Sequence, residues 1–180
     1  MSMRFLTMLP PAALCLSTIA APALAQAVPA ECRALVDAEK KLITTPHRAY
    51  ETETTAGGGA PATHQLITAG GANYILHEGK WRRSPMTPQM LLDQMNENIA
   101  NAKVLSCKRV GDDAVAGEAA IVYTSHTVSD EITADARIWV SKSAGLPLRN
   151  EQDLDTGGGD KRHISIRYEF SDVKAPAGVK

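Results

Sequence analysis

Two periods of hydrophobic and polar alternation run along this chain, and the places where one gives way to the other predict its elements. From Cys32, the positions Leu35, Val36, Leu42 and Ile43 recur on one helical stripe. Pro29 suits the start of that helix and Pro46 ends it, which predicts a helix over 30–44. The period then shortens. From His47 to Thr55, Tyr50, Thr52 and Thr54 oppose Glu51 and Glu53, as in a strand. The run Ala56-Gly57-Gly58-Gly59-Ala60-Pro61 is a loop; neither a helix nor a lysine follows it, so it lacks the context of a phosphate cradle.

The stretches Thr63–Ala69 and Ala72–Glu78 flank Gly70-Gly71, the pattern of a two-residue hairpin. That turn sets Ala69 opposite Ala72 and gives one face Ile67, Ala69, Ala72, Tyr74 and Leu76. The other face carries His64, Leu66, Thr68, Asn73, Ile75 and His77. A second turn at Glu78-Gly79 pairs Leu76 with Trp81, which joins the first face. That more apolar face is expected to be the inner one. Thr87-Pro88 then starts a helix to about Asn101, with Leu91, Leu92, Met95 and Ile99 as its stripe and Met86 and Met90 nearby.

The remainder reads as strands over 103–110, 118–128, 132–141, 147–154 and 161–171. The turns between them hold Gly111-Asp112-Asp113, Ser129-Asp130, Ser143-Ala144-Gly145 and Gly157-Gly158-Gly159. The last strand alternates most clearly, with Ile164, Ile166, Tyr168 and Phe170 opposite His163, Ser165, Arg167 and Glu169. Residues 175–180 are expected to fray. The order predicts an α+β fold: an antiparallel meander, long enough to curl, with two helices burying their stripes on one face of the sheet.

The first 25 residues follow a different logic. Arg4 supplies a positive start, an apolar stretch runs from Phe5 to about Ala21, and Ala23-Leu24-Ala25 precedes Gln26. This is the pattern of a cleaved secretory signal peptide, 1–25. The apolar run is short for a membrane span and Pro10-Pro11 would break its helix. Cys15 follows the bulky Leu14 where a lipidation signal needs a small residue, so it is expected to leave with the signal.

Removing the signal takes away Arg4 and makes the chain one unit more negative than its formal −1, which leaves no footprint for nucleic acid or an anionic membrane. Stable membrane insertion is not expected, and a monomer is. Cys32 and Cys107 remain. An even count in an oxidising compartment favours a disulfide between them, with free thiols or a mixed disulfide as the alternative.

The segment Arg137-Ile138-Trp139-Val140-Ser141-Lys142-Ser143-Ala144-Gly145-Leu146-Pro147-Leu148-Arg149 resembles the W-I/V-x-K-x-x-G-L-P hairpin of the periplasmic lipoprotein-carrier superfamily, the LolA-like proteins. Around it, Gly117 with Tyr123, the Y-x-x-x-x-G-x-W run from Tyr74 to Trp81, and the ending Tyr168 to Pro176 fit the same pattern. The likeness covers most of residues 26–174. It implies an incomplete barrel lidded by helices, an apolar cavity for acyl chains of lipoproteins or lipids, and a periplasmic location. Related domains act as sensors or interaction modules in the envelope, so another envelope protein is the alternative partner. The chain departs from the carriers in being poor in aromatics, with Phe170 its one phenylalanine after cleavage.

An apolar site would be lined from the inner face and the second helix, by Tyr74, Leu76, Trp81, Met90, Leu91, Met95, Ile166 and Tyr168. Methionines suit a lining that adapts to flexible chains. A filled core is the competing expectation. His64 and His77, set opposite by the Gly70-Gly71 register, offer two imidazoles to zinc or copper, but no third ligand is identifiable, and neither metal nor cofactor is assigned. There is no G-x-S-x-G and no H-E-x-x-H, and Glu51, Glu53, Glu151 and Asp153 read as a solvated face. The expectation is a binding protein, not an enzyme.

Overall fold

The computed structural model describes residues 28–159 and 161–179. The expected signal peptide lies outside the described residues. A 3-10 turn, Ala30–Cys32, leads into α1, Arg33–Thr44, which ends with Thr45 in extended backbone just before Pro46. Leu35, Ala38 and Leu42 are its buried positions. Four strands follow: β1 (His47–Thr55), β2 (Ala62–Ala69), β3 (Ala72–His77) and β4 (Lys80–Arg83). α2, Pro88–Asn101, is capped by Thr87, whose Oγ1 accepts the Met90 N–H at 3.2 Å. Then come β5 (Val104–Val115), β6 (Glu118–Val128), β7 (Thr133–Ser141), β8 (Pro147–Asp155) and β9 (Lys161–Glu169).

All nine strands form one antiparallel sheet in the order β4-β3-β2-β1-β9-β8-β7-β6-β5. Two consecutive runs of hairpins are thus joined through β1 and β9, with Glu51 opposite Ile166. The sheet stays open, with β4 and β5 as its edges. α2 connects one edge to the other, so it must cross the concave face. The fold is the expected α+β incomplete barrel with its helices on that face.

The hairpin registers follow from the turns. Gly70 (φ 60°) and Gly71 (φ 73°) place Ala69 opposite Ala72 and Leu66 opposite Ile75. Leu76 pairs with Trp81 across Glu78-Gly79. The turn expected at Gly111-Asp112-Asp113 is instead part of β5. The register shifts between Arg109 and Gly111, so Val110 is the extra residue of a bulge, and it is 50% exposed. The reversal comes at Ala116 (φ 50°) and Gly117 (φ 86°), whose paired positive φ matches the twist of a two-residue hairpin.

Three apolar clusters hold the sheet. On the concave side, Leu35 and Ala38 of α1 pack on Ile138 and Val140, with Cys107, Tyr123 and Ala136 around them. The Cys32–Cys107 disulfide forms there, with Cα atoms 5.0 Å apart, and pins the start of α1 to β5. The other two clusters lie on the convex side. Ile67, Ala69, Ala72 and Tyr74 pack with Trp81, Val173 and Val179; Ala120, Val122, Trp139 and Leu148 pack with Val115 and Phe170. The chain after β9 therefore turns over the outer face and covers it, and the segment expected to fray places Val179 in that cover. Among the described residues no helix is long and apolar enough to cross a membrane.

Candidate functional site

The concave face is incompletely filled. One cavity, of about 720 Å³, lies between α2 and β5–β8 and is lined by Met95, Ile99, Leu105, Ile132, Ala134 and Leu154, among others. A second, of about 210 Å³, adjoins it, sharing Met95, Ile99, Leu105 and Gln152, and reaches under α1 to Leu35, Val36, Glu39, the disulfide and Asn150. A third, of about 330 Å³, lies between α1, β1–β3, β9 and the entry to α2, against Leu42, Ala49, Leu66, Ile75, Ile166 and Tyr168. The first and third volumes are those of small-ligand sites, and the walls combine apolar side chains with polar ones.

Several of the polar groups are fixed by specific contacts. In the third cavity, Thr68 Oγ1 donates to Asn73 Oδ1 at 2.7 Å, and Asn73 Nδ2 donates to the Met86 carbonyl at 2.8 Å. That buried amide is satisfied and fastens the approach to α2. His47 engages the Thr45 carbonyl at 2.8 Å and meets the Tyr168 ring edge-on, with centroids 5.8 Å apart. Burial holds its imidazole below the ordinary range, and so neutral.

Glu39 is different. It sits in the buried stripe of α1, lines the second cavity, and makes no hydrogen bond or ion pair with a described residue. Burial alone pushes its carboxyl up to about 7. Tyr168, on β9, is held well above the ordinary phenol range by burial and then by the charges of Glu39 and Glu51, while a hydrogen bond from the Asn150 side chain pulls the other way. Glu39, Asn150 and Tyr168 thus form a polar waist between the second and third cavities.

Of the residues expected to line a site, Met95 borders the first two cavities, and Leu91, Ile166 and Tyr168 border the third. Met90 points outward and is 47% exposed. Tyr74, Leu76 and Trp81 occupy the opposite face of the hairpin. The expectation that this face is the inner one is corrected: the helices meet Leu66, Thr68, Asn73 and Ile75, and the more apolar face is buried by the end of the chain. Glu39, Asn150 and Leu105 were missed as site residues. Glu39 had a signal, being a carboxylate at helical spacing from Leu35, Val36, Leu42 and Ile43, in the middle of an apolar stripe.

The two histidines do not meet as expected. The β2–β3 pairing stops at Leu66–Ile75, and His64 faces Glu51 of β1. Glu51, Glu53 and His64 each bring one potential ligand atom within 4.8 Å of the others, and Arg162 lies 3.6 Å from Glu53. Glu51 also lines the third cavity, so part of the acidic face read as solvated looks inward.

No family model and no curated protein matches this chain. Solved structures similar to it include the lipoprotein LppX of Mycobacterium tuberculosis, with 14% identity over 84% of this chain and 97% of that one, and a TM-score of 0.42. LprF of Mycobacterium bovis is similar at 10% identity over 79% of this chain and 94% of that one, with a TM-score of 0.41. MucB is similar at 15% identity over 82% of this chain, with a TM-score of 0.49; the match spans 63% of the MucB chain.

Proposed function

We propose that this protein is a non-catalytic periplasmic binding or carrier protein for an apolar ligand, such as the acyl chain of a lipoprotein or a lipid. The observation that carries the reading is the unfilled, largely apolar space between the helices and the concave face, lined by Met95, Ile99, Leu105 and Leu154. The secretory pattern of residues 1–25 and the sequence resemblance to periplasmic lipoprotein carriers support the compartment and the ligand class. A module that only contacts another envelope protein has no need of such space. Burying about ten methylenes contributes roughly 8 kcal/mol, against which the costs of association are set.

The test has two arms. Native mass spectrometry of protein gently purified from a bacterial periplasm should show a lipid-mass adduct. Titration of the delipidated protein with the uncharged fluorophore N-phenyl-1-naphthylamine should give saturable enhancement, lowered at least about tenfold in affinity by Ile99→Trp, which puts an indole into the cavity wall. Absence of both adduct and enhancement would sink the proposal.

A further inference from the structure

We propose that the ligand is a single-chain amphiphile with an ammonium head, held where Glu39 and Asn150 meet at the waist of the cavity. The inference rests on the apolar-ligand reading above and adds the chemistry of the head. Two unused acceptors define the place. The Glu39 carboxyl lies in the apolar stripe of α1, lines the second cavity, and has no hydrogen-bond partner among the described residues. Across from it on β8, Asn150 Oδ1 is buried without a partner, although the same side chain hydrogen-bonds Tyr168. Folded proteins rarely leave a buried polar atom such as Asn150 Oδ1 idle, and the Glu39 carboxyl on the wall of the same cavity is an acceptor open to a donor from outside the chain.

Charge selects the donor. The three cavities are bordered by four carboxylates, Glu39, Glu51, Asp130 and Glu131, and among the described residues by no lysine or arginine. Asp130 is answered by Lys103 at the rim, which leaves Glu39, Glu51 and Glu131 without a lysine or arginine partner among the described residues. His47, the nearest basic side chain in the wall, is kept neutral by burial. A carboxylate or phosphate head would find no lysine or arginine in these walls and would lie against like charge at Glu39. A hydroxyl offers one hydrogen. An ammonium offers three hydrogens and the opposite charge, enough to reach both Glu39 and Asn150, and its stem passes directly into the space beside Met95 and Ile99.

Calorimetric titration of the delipidated mature protein with decylammonium, decanol and decanoate, each below its micellar concentration, tests this on the wild type without any variant. Decylammonium is expected to bind at least about tenfold more tightly than either of the others. Glu39→Gln should erase that difference, so that the three affinities converge. Decanol or decanoate binding as tightly as decylammonium would overturn the ammonium head while leaving the apolar cavity intact, as would a preference that survives in Glu39→Gln. Binding of none of the three overturns both readings.

Discussion

An acid in the apolar stripe of a helix makes stability depend on pH with a known sign. Glu39 binds its proton more tightly folded, up to about 7, than in the unfolded chain, where 4.5 is ordinary. Below both values the two states are equally protonated. Between them the unfolded chain ionises first, so stability falls as pH rises, and it levels off above about 7. The titratable group whose charge interaction with it is resolved is Tyr168, which stays neutral throughout. Glu39→Gln should therefore flatten the loss and raise stability at pH 8 by up to about 3 kcal/mol. Urea melts of both proteins from pH 4 to 8 read this directly, and parallel curves would refute it. Glu39 was legible in principle, because a charge at a stripe position is visible in the sequence. Its idle carboxyl was not, since that depends on β8 and β9 arriving opposite it. Tyr74 and Trp81 show the converse limit. Alternation separates two faces of a hairpin but does not say which one the helices cover, and here the tail with Val173 and Val179 takes the more apolar side.

At the scale of elements, local chemistry was most readable where one or two residues decide the geometry. Thr87-Pro88 starts α2 because the hydroxyl satisfies a free N–H and the proline needs none. Gly70-Gly71 fixes the β2–β3 register because both residues take positive φ. Gly111-Asp112-Asp113 has turn composition, yet the strand runs through it. There the pairing with β6 outweighs local propensity, and the irregularity is absorbed as a bulge at Val110. The disulfide is the strongest link between elements distant in sequence. Cys32 and Cys107 are 75 residues apart, and their bond anchors the start of α1 on β5. Replacing both with serine should lower unfolding free energy by roughly 4 kcal/mol, measured by denaturant melts under non-reducing conditions. A loss under about 1 kcal/mol would show that the packing of Leu35 and Ala38 holds α1 without the covalent tie.

For the whole molecule, the open sheet and the cavity are one fact seen twice. β4 and β5 do not pair, so the barrel does not close, and the chain that joins them is α2. This helix has no buried residue, although Met95 and Ile99 face the cavity, whereas α1 buries Leu35, Ala38 and Leu42 and is held by the disulfide. The two helices on the same face therefore differ in how firmly they are held. α1 belongs to the core, and α2 is a cover whose inner stripe borders empty space. An occupant that fills the space beside Met95 and Ile99 gives that stripe the contacts it lacks, so binding and the ordering of α2 are coupled. Hydrogen exchange should show α2 amides exchanging at least about tenfold faster than those of α1 in the delipidated protein, through local opening that leaves the sheet intact. Saturation with an apolar ligand should slow α2 by a similar factor and leave α1 and β9 nearly unchanged. Equal protection of the two helices without ligand would show that α2 is already packed as core. Slowing spread evenly over the sheet would place the ligand somewhere other than under α2.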